Sequence, residues 1–129
     1  MHQLRTGLIG EARLYAGEEH SAASMGSGAL PVFSTPAMIA LMENAAVRAV
    51  DHLLEPGHST VGIELHISHI SATPIGEEIV AVAEVTAVEE RRVTLEVRAW
   101  DETEMIGEGT HVRYIINDER FLNRLQERG

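Results

Sequence analysis

Two residue types are missing altogether: the 129-residue chain contains no cysteine and no lysine. Without cysteine there can be no disulfide framework, no thiolate metal site and no thiol nucleophile. Without lysine, all ten basic residues are arginine, set against twenty acidic ones for a formal charge of −10. Such a field repels nucleic acid backbones and anionic lipid surfaces, so neither is expected as a partner. It also disfavours any anionic ligand, whose site would have to gather arginine or backbone N–H groups locally. No apolar run approaches the roughly 20 residues that cross a bilayer. Residues 1–17, MHQLRTGLIGEARLYAG, lack the apolar stretch and small-residue cleavage site of a signal peptide. The expectation is a soluble, cytoplasmic protein. No repeat, low-complexity tract or charge block divides the chain, and its length suits one core, so residues 1–129 read as a single domain.

What is present is a change of period. Residues 7–16 alternate as a half-buried strand does. Residues 17–31, GEEHSAASMGSGALP, are rich in Gly, Ser and Ala and read as a mobile loop or lid. Residues 36–54 form the single long helical segment, with Asn44, Arg48, Asp51, His52 and Glu55 as its solvent stripe and the rest apolar. From Ser59 the period becomes two, with strands expected at 60–72, 78–88, 91–100 and 105–116 in an antiparallel meander. A short helix should follow from about Asp118, which suits an N-cap. One long helix wrapped by a curved antiparallel sheet of about five strands is the α+β arrangement called the hotdog fold. The sheet covers one side of its helix, so pairing of two copies through an edge strand is expected, as a homodimer or a dimer of such dimers.

Three side chains stand out against this frame. Glu43 lies in IALMENAAV, and its neighbours three and four positions away are Ile39, Ala40, Ala46 and Val47. An unpaired buried carboxylate costs several kcal/mol, so Glu43 should be hydrogen-bonded, protonated or catalytic. His69 shares strand parity with Val61, Ile63, Leu65 and Ile67, which aims it at the interior that receives Glu43 and puts the two within reach of each other. A lone histidine on an apolar face is more often a satisfied core residue. His66 has the opposite parity, so the two histidines make a poor metal site, and no metal is expected. Thr35 precedes Pro36 and reads as an ordinary N-cap with proline at the first helical position. That place nonetheless lies among the free N–H groups at the positive end of the helix, where an oxyanion or thioester carbonyl can be stabilised. Ser34 competes for the same hydroxyl role. Thr35 and Glu43, eight apart, fall on one side of the helix.

The segments VFSTPAMIALMENAAVRAVDHLLEPG, GIELHISHISATPIGE and VEERRVTLEVRAWDETEMIGEGTHVRYIINDERFLNRL together resemble the fluoroacetyl-CoA thioesterase-like branch of hotdog thioesterases, over roughly residues 30–125. The resemblance implies that Thr35, Glu43 and His69 form the catalytic group and that Gly62 lies at the acyl end of the pocket, with Phe33 and Ser34 lining the substrate site. It also matches Gly107–Arg113 to the family's G-x-G-T-H-x-R strand, whose glycines suggest a bulge. Arg91, Arg92 and Arg113 are the candidates for the nucleotide end of coenzyme A, although Arg91 and Arg92 also fit a solvated turn. The implied activity is hydrolysis of a short acyl-CoA to free acid and coenzyme A, with no cofactor beyond the coenzyme A of the substrate. One departure is visible: MGSGAL at 25–30 carries no aromatic residue where the fluoroacetyl-selective lid has them. The same fold and residues would also serve an acyl-thioester hydratase or dehydratase, or a non-catalytic acyl-CoA binding module.

Overall fold

The computed structural model describes residues 4–128. Strand β1 (Ile9–Tyr15) leads into a 3-10 turn at Glu18–His20 and a short helix α1 (Ala22–Met25). The long helix α2 (Thr35–Val50) follows, then a 3-10 turn at Asp51–Leu53. Strands β2 (His58–His69), β3 (Glu78–Glu89), β4 (Arg92–Trp100) and β5 (Met105–Asn117) come next, and α3 (Asp118–Arg128) ends the described chain. All five strands form one antiparallel sheet in the order β1-β3-β4-β5-β2, with α2 against its inner face. This is the hotdog fold.

Three expectations are corrected. The four later strands are not a continuous meander: only β3, β4 and β5 are sequential neighbours, while β2 crosses over to pair with β5 and becomes an edge. The 17–31 stretch is not an open loop. Its backbone is tied down by bonds from Ala22 to Val32 and from Ala23 to Leu30, and the Ser21 side chain caps α1 by accepting from the Ser24 N–H at 3.1 Å. The irregularity of β5 lies not within Gly107–Gly109 but beside it, at Ile106, where the pairing with β4 slips between Ala99 and Trp100. A further bulge lies in β2, opposite Arg113 and Val112, where the register slips between Gly62 and Glu64. One extra residue there reverses the strand's faces. Val61 therefore pairs with the exposed Tyr114 on the outer face, while Gly62, Leu65 and His69 lie opposite the inward Arg113, His111 and Gly107.

Close approach of sheet and helix rests on small residues. A Cβ on Gly10 of β1 would overlap the Ala45 carbonyl and the Ala49 amide of α2. Alternate residues of β3 (Ile79, Ala81, Ala83, Val85) and β4 (Val93, Leu95, Val97, Ala99) are buried against Met38, Leu41, Met42 and Ala46. Helix α2 is not engulfed all round. Thr35, Ile39, Glu43 and Val47, four apart, are the stripe that the sheet leaves partly open, and Asn44 and Arg48 face solvent as expected.

Candidate active site

Helix α2 begins one residue earlier than its proline suggests. Ser34, not Thr35, is the N-cap: its Oγ accepts from the Ala37 N–H at 3.2 Å and donates to Met25 Sδ at 3.0 Å. With its hydroxyl engaged in both directions, Ser34 is unavailable as the reacting group. Thr35 is the first helical residue, so its N–H has no carbonyl within the helix to meet, and Pro36 has no N–H at all. Freed from capping, the exposed Thr35 hydroxyl lies 2.7 Å from His69 Nδ1.

His69 comes from the last position of β2, where the strand has curved over the start of α2. Burial holds its ring below the ordinary histidine pKa, partly offset by the Ser71 backbone. The neutral ring then accepts the Thr35 proton at Nδ1 and carries its own on Nε2. That Nε2 is buried and makes no hydrogen bond of ordinary geometry. The Thr35–His69 pair opens on a cleft of about 300 Å³ lined by Phe33, Ser34, Thr35, His69 and Ile70. Phe33, only 1% exposed, is its apolar wall, and Ala22 and Ser27 of the 17–31 segment border it.

Glu43 is not beside His69. It is half-open, with its side chain 39% exposed, and its Oε2 lies 3.8 Å from Arg113 Nη1. The Arg113 guanidinium is buried and also donates to the Thr60 hydroxyl at 2.7 Å, to the Thr60 carbonyl at 2.9 Å and to His111 Nε2 at 3.1 Å. Because Nε2 of the fully buried His111 accepts, its proton sits on Nδ1 and is donated to the Glu64 carbonyl at 2.9 Å. Burial first, and the Arg113 charge as well, hold His111 below the ordinary value and keep it neutral. Asp51 completes the chain by accepting from the Thr60 hydroxyl at 2.6 Å and the Thr60 N–H at 3.1 Å. Asp51 is thus part of an interior network instead of the solvent stripe. Arg113, enclosed and committed to Thr60, His111 and Glu43, is removed from the candidates for a coenzyme A phosphate.

Gly62 belongs to this second cluster. A Cβ there would stand 2.8 Å from Glu43 Oε2 and 3.0 Å from the His111 ring. Only the missing side chain leaves the Glu43 carboxylate its place. Gly62→Ala should therefore push Glu43 aside and lower activity more than tenfold while shifting the melting temperature little, which steady-state kinetics and a thermal melt on one preparation would check. Arg91 and Arg92 belong to neither cluster. Arg92 is on the outer face, paired with Glu64 at 3.0 Å, and Arg91 lines a groove under α3. The polar roles of Asp51, Thr60 and His111 were not anticipated. Their signal was present in His111 and Arg113, two apart on one strand and therefore on one face.

Two contacts, Thr35 with His69 and Glu43 with Gly62, thus bring the partly open stripe of α2 to β2 at two places. The family described as fluoroacetyl-CoA-specific thioesterase matches residues 17–119. The chain belongs to this family. A fluoroacetyl-CoA thioesterase of Streptantibioticus cattleyicolor is 40% identical over 97 residues, 75% of this chain and 70% of that protein. The crystal structure of a variant of the fluoroacetyl-CoA-specific thioesterase FlK superimposes with a TM-score of 0.92 at 31% identity, covering 100% of both chains. A variant of the same enzyme in complex with fluoroacetate and CoA gives 0.86 at 34%, over 92% of this chain and 99% of that one. Among the described residues no helix is long and apolar enough to cross a membrane.

Proposed function

We propose that this member of the fluoroacetyl-CoA-specific thioesterase family hydrolyses thioesters of coenzyme A with small acyl groups, the thioester carbonyl lying beside Thr35. The observation that carries the proposal is the 2.7 Å bond between Thr35 Oγ1 and the neutral ring of His69 at an N–H-rich helix start. Thr35, or a water it orients, attacks the carbonyl carbon while His69 Nδ1 takes the proton. The developing oxyanion meets the Thr35 N–H and the positive end of α2, and the proton taken up at His69 Nδ1 passes to the departing sulfur. A thiol of pKa near 8.5 needs little further help to leave. His69 Nδ1, its proton passed to the sulfur, activates the water that takes up the acyl group. The Glu43 carboxylate, about 12 Å along the helix from Thr35 and beside Gly62, orders the approach of that water.

The small acyl group follows from the family, described as fluoroacetyl-CoA-specific, so kcat/KM should fall steeply from acetyl-CoA to octanoyl-CoA in a thiol-release panel. A rising series would contradict it. With no aromatic residue in 17–31, preference for fluoroacetyl over other small groups is not part of the proposal. Because His69 works as a neutral base whose pKa burial lowers, activity should hold steady as pH drops to about 6.5 and decline only below it. A pH–rate profile with its acid limb above that value would remove His69 from this role.

The protein is also read as a homodimer. The outer edge of the twelve-residue β2 is unpaired among the described residues. Ile63, Leu65 and Ile70 beside it are 45%, 41% and 51% exposed. A second copy added to that edge would cover these side chains and close over the Thr35–His69 cleft. Sedimentation should report twice the 14.1 kDa chain mass.

A further inference from the structure

The other end of the sheet carries a second concavity with a different chemistry. Helix α3 buries none of its residues and lies over the outer face of β5, leaving a groove of about 330 Å³. Its apolar surface includes Tyr114 and Phe121, 39% and 38% exposed, which are two of the five aromatic residues in the chain. Its border is Arg91, Arg120, Arg124 and Arg128, the last three spaced four apart along α3.

These four arginines differ from the rest. Arg13, Arg92, Arg98 and Arg113 each pair with a carboxylate, Arg48 bonds to Asn44, and Arg5 has an interaction of its own. Arg91, Arg120, Arg124 and Arg128 have no ion pair or side-chain hydrogen bond among the described residues. In a chain with twenty acidic residues, four neighbouring guanidinium groups converge on one groove without a carboxylate among its lining, Glu119 and Glu127 lying in the adjoining depression. Like charges held together destabilise the free protein and are relieved by an anion. Guanidinium forks suit phosphate, and exposed aromatic rings suit a flat base.

We propose that this groove binds the phosphorylated nucleotide of a coenzyme A molecule other than the one being hydrolysed, with its base against Tyr114 and Phe121 and its phosphates on the arginines. The choice of coenzyme A rests on the thioesterase reading; the anion site itself does not. The groove is set apart from the cleft of its own chain, on the other face of the sheet. Tyr114 lies seven residues along β5 from Gly107, the partner of His69, or about 23 Å. It also faces away from the cleft. A second copy of the chain is the poorer occupant, since two such grooves brought face to face would oppose like charges.

Adenosine 3′,5′-bisphosphate is the probe, titrated calorimetrically at low ionic strength into wild type, Thr35→Ala and the double variant Arg120→Ala/Arg124→Ala. One bisphosphate per chain is expected for wild type and for Thr35→Ala. Affinity should fall at least tenfold in the double variant and should weaken with salt. The double variant should hydrolyse an N-acetylcysteamine thioester, which has no nucleotide, at the wild-type rate, and should lose the part of coenzyme A inhibition that substrate does not relieve. Equal affinity in wild type and the double variant, or no binding at low salt, overturns the proposal. So does a change in oligomeric mass in the double variant without a change in bisphosphate affinity. Binding by a protein that releases no thiol from any acyl-CoA would sink the thioesterase reading and leave the groove as a nucleotide site.

Discussion

His69→Ala is expected to lower kcat/KM on acetyl-CoA by about 10²- to 10⁴-fold, the usual loss when a general base is removed. Thr35→Ala should cost a similar factor, and Thr35→Ser much less, because serine keeps the hydroxyl that meets Nδ1 at 2.7 Å. The sharper expectation concerns the pair. If the hydroxyl and the ring act as one unit, the double variant should be no slower than the worse single variant by more than a few-fold. Two independent contributors would multiply instead. Neither substitution should disturb folding, since Thr35 is exposed and His69 stands at the rim of the cleft. Steady-state rates for the four proteins, with thermal melts as controls, give the answer.

Arg113→Met should have the largest effect on stability. It withdraws the donors that satisfy Thr60 and His111 and the cation facing Glu43 and Asp51, in a position 6% exposed. Breaking a buried ionic network from one side costs about 3–5 kcal/mol. The lower figure is expected, because Glu43 and Asp51 remain partly open to water. A loss of about 3 kcal/mol corresponds to roughly 10 °C in melting temperature for a chain of this size. Stability should also depend on pH. His69 and His111 are both held below the ordinary value, largely by burial, so the folded protein binds fewer protons than the unfolded one. Their contribution is fully present above the unfolded value near 6.5 and is lost as pH falls through the folded values. Denaturant titrations at pH 7.5 and 5.5 should therefore show the lower midpoint at the lower pH.

How much of this was legible in the sequence differs by element. The five strands and the long helix announce themselves by period, because burial on one face writes itself into residue spacing. The place of β2 at the sheet edge does not. A crossover and a meander leave the same alternating pattern, and only the pairing with β5 distinguishes them. Counting from Val61 aims His69 inward, yet the slip at Gly62 places Val61 outward. The assignment holds because Leu65 and Ile67 share its side of the bulge. Helix phase aims Glu43 toward the interior, but it fixes direction and not partner. That its partner is Arg113, and that Thr35 is the residue facing His69, depends on how far β2 curves across α2. Ser34 as the true cap was within reach of the sequence, since proline is also tolerated at the second position of a first turn, where its missing N–H costs nothing.

Thiol release from acetyl-CoA by the wild-type protein, followed with product analysis of the acyl group, is the most direct test of hydrolysis at the Thr35–His69 pair. The account predicts coenzyme A and free acetate in equal amounts, abolished in His69→Ala. An acyl-CoA that raises the melting temperature of the protein while no small acyl-CoA releases thiol would contradict it.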